Sequence, residues 1–125
     1  MTTKCLLIVD DNPENLKLIL LLLASSGHEL VTATDAVQAL HAIERRVPDL
    51  ILLDLQLPGM DGLELTRRLR ANTQTRSIPI IAVTAYAMKG DEDKARDAGC
   101  DGYLVKPIDK KLLREAVKGY LGSAA

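Results

Sequence analysis

Phenylalanine and tryptophan are absent from this 125-residue chain and tyrosine occurs three times. The core must therefore be aliphatic, and no aromatic platform exists on which nucleic-acid bases could stack. Two cysteines, Cys5 and Cys100, are too few for a disulfide framework, and neither they nor His28 and His41 have the spacing of a zinc site. Basic charge is not in excess. Sixteen Lys and Arg against 17 Asp and Glu leave a formal charge of −1, which argues against a non-specific binder of nucleic acid or anionic membrane. The longest wholly apolar run, Leu18–Ala24, is far short of the roughly 20 residues of a membrane span. Met1–Lys4 leads into a strand-like run without the features of a leader peptide. These absences predict a reduced, soluble, cytoplasmic protein with no nucleic-acid or membrane partner. The length predicts one domain over 1–125 that folds without disulfides or a structural metal.

What is present is an alternation. Cys5–Val9, Glu29–Ala33, Leu50–Leu53, Ile80–Val83 and Gly102–Val105 read as strands, several continuously apolar, as in a parallel sheet covered on both faces. Amphipathic stretches lie between them. Asn12-Pro13 reads as an N-cap with proline at the first helical position. Asp35 with Gln38, and Asp61 with Glu64, have capping-box spacing. Gly27, Gly99 and Gly122 stand where helices should stop. Leu112, Leu113, Ala116, Val117, Tyr120 and Leu121 form the apolar stripe of a last helix. In the first helix Leu16, Ile19, Leu20 and Leu23 can face the sheet, which leaves Leu18, Leu21 or Leu22 partly outward. Five βα units predict a doubly wound (βα)5 sheet of the flavodoxin-like order 2-1-3-4-5.

In such a sheet ligands bind beyond the carboxyl ends of the strands, at the switch point between strands 1 and 3. Strand 1 ends in Asp10-Asp11, strand 3 in Asp54, strand 4 in Thr84 and strand 5 in Lys106. Two carboxylates about 4 Å apart at an effective dielectric near 20 repel by about 4 kcal/mol, so three together call for a cation. Lys106 can neutralise one of them. The remainder suits a hard divalent ion with oxygen ligands, and Mg2+ fits best because it accepts few protein ligands and several waters. A metal beside a carboxylate, with a lysine and a hydroxyl opposite, is also the equipment for phosphoryl transfer onto that carboxylate.

The chain resembles the receiver domain of two-component response regulators from Lys4 to about Leu121. The residues that carry the resemblance are Leu6-Leu7-Ile8-Val9-Asp10-Asp11, the segment Leu53-Asp54-Leu55-Gln56-Leu57-Pro58-Gly59-Met60-Asp61-Gly62, Val83-Thr84-Ala85, and Tyr103-Leu104-Val105-Lys106-Pro107. All four occur in order at βα-unit spacing. The resemblance implies that Asp54 accepts phosphate from a phosphohistidine on a sensor histidine kinase or histidine phosphotransfer protein. It implies that Asp10, Asp11, Asp54 and the backbone carbonyl of Gln56 hold Mg2+, and that Thr84 and Lys106 bind the phosphoryl group. It further implies a cis Lys106-Pro107 bond, a switch in which Tyr103 turns inward with Thr84, and tuning of phosphoryl lifetime by Gln56 and Tyr86. Ala85 matches the small residue beside the acceptor. A downstream protein target would read the face of the fourth helix, fifth strand and fifth helix, with a phosphorylation-dependent dimer left open. The chemistry would be self-directed, so the protein is not expected to be an enzyme, and no output module is expected after the fifth helix.

Plainer readings stand beside these. Asp10 and Asp11 could cap or turn the chain before the first helix, Tyr103 could simply pack, and Asp61 is better explained as a cap. The outward leucines of the first helix could meet the last helix or dock a partner's helical bundle. A metal-dependent phosphohydrolase is the rival function, but that class carries Asp-x-Asp after strand 1, whereas here Asp10 and Asp11 are adjacent. A flavin module is disfavoured by the acidic first loop, and a purely structural adaptor by the complete acceptor set.

Overall fold

A computed structural model describes residues 3–85 and 90–122. Five strands, β1 (Cys5–Val9), β2 (Glu29–Ala33), β3 (Leu50–Asp54), β4 (Ile80–Thr84) and β5 (Gly102–Val105), form one sheet in the order β2-β1-β3-β4-β5. All four neighbouring pairs are parallel, with Val9 opposite Leu53 and Asp54 opposite Val83. This is the predicted fold. The strands β3 and β4 each run one residue further than the apolar pattern suggested, because Asp54 and Thr84 remain in the ladder although polar.

The helices are α1 (Pro13–Leu23), α2 (Ala36–Arg45), α3 (Gly62–Ala71), α4 (Asp91–Ala98) and α5 (Lys110–Leu121), with a 3-10 turn over Ala24–Ser26. Asn12 caps α1 by accepting from the backbone N–H groups of Glu14 and Asn15. Asp35 and Asp61 accept from Gln38 and Glu64 in the same way. The Gln38 side chain does not close the box on Asp35; it accepts from the backbone and hydroxyl of Thr34. Asp109 caps α5 through Leu112, a cap the sequence pattern had not singled out. Gly27 ends the 3-10 turn rather than α1 itself, and Gly99 ends α4 at φ 115.

Alternate strand residues point to opposite faces, so the core has two halves. Leu7, Val9, Ile51, Leu53, Ile80 and Ala82 pack with α2, α3 and α4. Leu6, Ile8, Leu50, Leu52 and Ile81 pack with α1 and α5. In α1, Leu16, Ile19 and Leu23 are buried and Leu20 half-buried, while Leu18 and Leu21 are 43% and 66% exposed. Leu22 is half-buried and packs against the α1–α5 half of the core. The α5 stripe is narrower than predicted: Leu113, Val117 and Leu121 are buried, whereas Leu112 and Tyr120 are exposed. Beside an edge strand the helix has a neighbour on one side only, so one flank of its stripe stays in water.

Candidate functional site

The carboxyl ends of β1, β3, β4 and β5 meet at one rim of the sheet. Asp10 and Asp54 are 2% and 3% exposed, among the few buried polar residues of the chain. Each carboxylate is held from two sides. Asp10 accepts from the Asn12 backbone N–H at 2.9 Å, and Asp54 from that of Gln56 at 3.0 Å. Their other oxygens share the Lys106 ammonium, Nζ lying 3.0 Å from Asp10 Oδ2 and 3.1 Å from Asp54 Oδ2. Lys106 reaches that place because its backbone N–H donates to the Thr84 carbonyl at 2.8 Å, extending β5 alongside β4. The Lys106-Pro107 peptide is cis.

Electrostatics follow from this packing. Burial raises the Asp54 pKa above the ordinary carboxylate value; the Gln56 N–H and Lys106 pull it back, and Asp10 pushes it up again. Burial works to lower the Lys106 pKa, but its hydrogen bonds to Asp10 and Asp54 outweigh that and hold it above the ordinary value.

Asp11, exposed, completes an acidic set: oxygens of Asp10, Asp11 and Asp54 all lie within 4.8 Å of one another. Three converging hard oxygen donors, two of them buried and sharing one lysine, fit a divalent cation such as Mg2+ in ligand type and in charge. Gln56 lies in the turn that follows Asp54, and Thr84 is buried at the end of β4. Tyr103 is half-buried against the α2–α4 half of the core, and burial, then Asp91 and Glu92, raise its phenol pKa. Asp61 faces a cleft beside Thr84 while capping α3. The expectation for Tyr86 lies outside the described residues.

Two residues, one at this rim and one at the opposite end of the sheet, were not singled out in the sequence for what they do. Gly62 packs on the end of β3: a Cβ there would sit 2.6 Å from the Asp54 carbonyl oxygen and 2.7 Å from Leu55 Cα. Arg70 of α3, with a side chain 21% exposed, donates to the carbonyls of Gly99, Arg76 and Ile78 and to the Asp101 carboxylate. It thereby ties α3 to the loops that start β4 and β5. A glycine inside a turn motif and one arginine among many carry no signal of such contacts.

The fold and this rim of carboxylates define a class. The model of the response regulator receiver domain matches residues 6–118, and the chain belongs to that family. It is a domain of phosphorylation-controlled signalling. It is similar to the polar-differentiation response regulator DivK of Brucella ovis, 46% identical over 98% of this chain and 99% of the relative. Among solved structures it is similar to a putative response regulator from Chloroflexus aurantiacus, with TM-score 0.91 and 33% identity over 96% and 98% of the two chains. It is also similar to the receiver domain of the sensor histidine kinase PA1611 of Pseudomonas aeruginosa, with TM-score 0.87 and 38% identity over 98% and 100%. That structure holds a magnesium ion coordinated in the active site cleft. Among the described residues no helix is long and apolar enough to cross a membrane.

Proposed function

We propose that the receiver unit, at about 4–121, takes a phosphoryl group onto Asp54 from a phosphohistidine of a histidine kinase or phosphotransfer protein. One observation carries this reading: a buried carboxylate that shares its lysine with a second buried carboxylate, at the end of the strand beside buried Thr84. An Asp54 oxygen forms the new O–P bond as the P–N bond breaks, and the leaving imidazole nitrogen takes a proton from solvent. Asp10, Asp11, Asp54 and the Gln56 carbonyl are the residues that would hold Mg2+. Bound there, the ion supplies positive charge against the phosphoryl oxygens.

Lys106 is placed to leave Asp54 for a phosphoryl oxygen while keeping Asp10, and the Thr84 hydroxyl to donate to another. Drawing Thr84 toward the phosphoryl group opens space beside it that the Tyr103 ring can take. That shift biases the α4–β5–α5 face toward the form a downstream partner reads. Water later attacks the acyl phosphate, so the cycle is self-directed and the protein is a switch rather than an enzyme. On the other side of the site, Leu18 and Leu21 form an exposed apolar strip on α1, suited to a donor's helical bundle.

Intact mass after incubation with acetyl phosphate tests the reading. A gain of one phosphoryl group that needs Mg2+ and is absent in Asp54→Asn is expected. Retention of the gain in that variant, or turnover of the donor with no adduct on folded wild type, overturns it.

A further inference from the structure

We infer that Lys94 of α4 recruits small anionic phosphodonors to the acceptor, a role that rests on the acceptor reading of Asp54. The observation is a cavity of about 330 Å3 between the β3–α3 turn and the start of α4, lined by Leu55, Gln56, Asp61, Thr84, Asp91 and Lys94. Asp54 itself does not line it, but three of its neighbours in the fold, Leu55, Gln56 and Thr84, do. Leu55 follows Asp54 in the chain and hydrogen-bonds across to Val83, the residue before Thr84, and the Gln56 N–H holds the Asp54 carboxylate. Two carboxylates, Asp61 and Asp91, stand on its walls and repel an incoming phosphate. Until a phosphoryl group reaches Asp54, Lys106 is taken up by Asp10 and Asp54. Among the described residues that line the cavity, Lys94 is the cation. It is exposed, and no ion pair engages it among the described residues.

The consequence is a preference by donor charge. A unit positive charge about 7 Å away in near-aqueous surroundings enriches a dianion about five-fold and a monoanion about two-fold at low salt. At neutral pH acetyl phosphate is a dianion; attack by Asp54 forms the acyl phosphate and expels acetate. Phosphoramidate is a monoanion, and the same attack expels ammonia, which is protonated by water. A protein donor that approaches over α1 brings its phosphoryl group from the opposite side and does not use Lys94.

The test is the initial rate of phosphoryl uptake by intact mass, with Mg2+, at about 0.02 M and 0.5 M ionic strength. The proteins are wild type, Lys94→Gln, Lys94→Met and Lys94→Arg. At low salt the two neutral variants should lose about five-fold with acetyl phosphate and about two-fold with phosphoramidate. Both deficits should close at 0.5 M, and Lys94→Arg should match wild type. Wild-type rates in the neutral variants, or an equal loss with both donors that persists at high salt, overturns the role of Lys94 alone. Wild type that gains nothing from either donor overturns the acceptor reading as well.

Discussion

Replacing Lys106 with Met removes the cation shared by two buried carboxylates without changing the length of the side chain much. With Asp10 and Asp54 oxygens within 4.8 Å, their repulsion at an effective dielectric near 20 is about 3.5 kcal/mol. Removing one partner of a buried ion pair costs 3–5 kcal/mol, roughly, in measured cases, so a loss of about 3–4 kcal/mol at pH 7 is expected. The chain has no tryptophan, so urea unfolding is best followed by far-ultraviolet circular dichroism. The sign of the pH dependence is set by Asp54. Its carboxyl is already raised by burial, so its ionisation opposes folding as pH rises from the unfolded value through the folded one. Without Lys106 that opposition grows, and the deficit should shrink as Asp54 takes its proton in acid. In wild type the contribution of Lys106, whose pKa is raised, is full below the ordinary lysine value and is lost as pH climbs through the raised one; Lys106→Met should lack that alkaline loss. Mg2+ should restore the variant more than it stabilises wild type, about 2.7 kcal/mol at a hundred times its dissociation constant. A loss below about 1 kcal/mol at pH 7, unchanged in acid and indifferent to Mg2+, would refute the reasoning.

Three further outcomes are expected. Gly62→Ala drives a methyl group against the Asp54 and Leu55 backbone, so it should cost about 1–3 kcal/mol and slow phosphoryl uptake even where the protein is still folded; wild-type uptake would contradict the contact. Arg70→Met takes the guanidinium from three carbonyls and from Asp101 and should cost about 2–4 kcal/mol in urea unfolding, with phosphoryl stoichiometry unchanged. Leu21→Lys, on the exposed strip of α1, should slow transfer from a phosphotransfer protein but not from acetyl phosphate; equal slowing of both would count against docking there.

Much of the molecule was written in local pattern. Apolar runs buried on both faces, alternating with capped amphipathic helices, can resolve only as a parallel sheet with crossovers. The residues placed just past those runs then fall at one rim whatever the packing details. That is why the sequence alone assigns Asp10, Asp54, Thr84 and Lys106 to one crevice, and why the caps at Asn12, Asp35 and Asp61 are legible in it. Each cap depends on neighbours two or three residues away.

Tertiary structure decided what depends on distance through space. Only the fold seats Lys106 between Asp10 and Asp54 rather than on one of them, because its reach is set by the β4–β5 ladder and not by the chain around it. The width of the α5 stripe followed from standing beside an edge strand, which leaves Leu112 and Tyr120 in water. The same holds for Gly62 against the Asp54 backbone, for Arg70 across the two loops that start β4 and β5, and for Lys94 on the cavity that Thr84 also lines. These placements join residues that no sequence periodicity relates, and they exist only once the sheet has assembled.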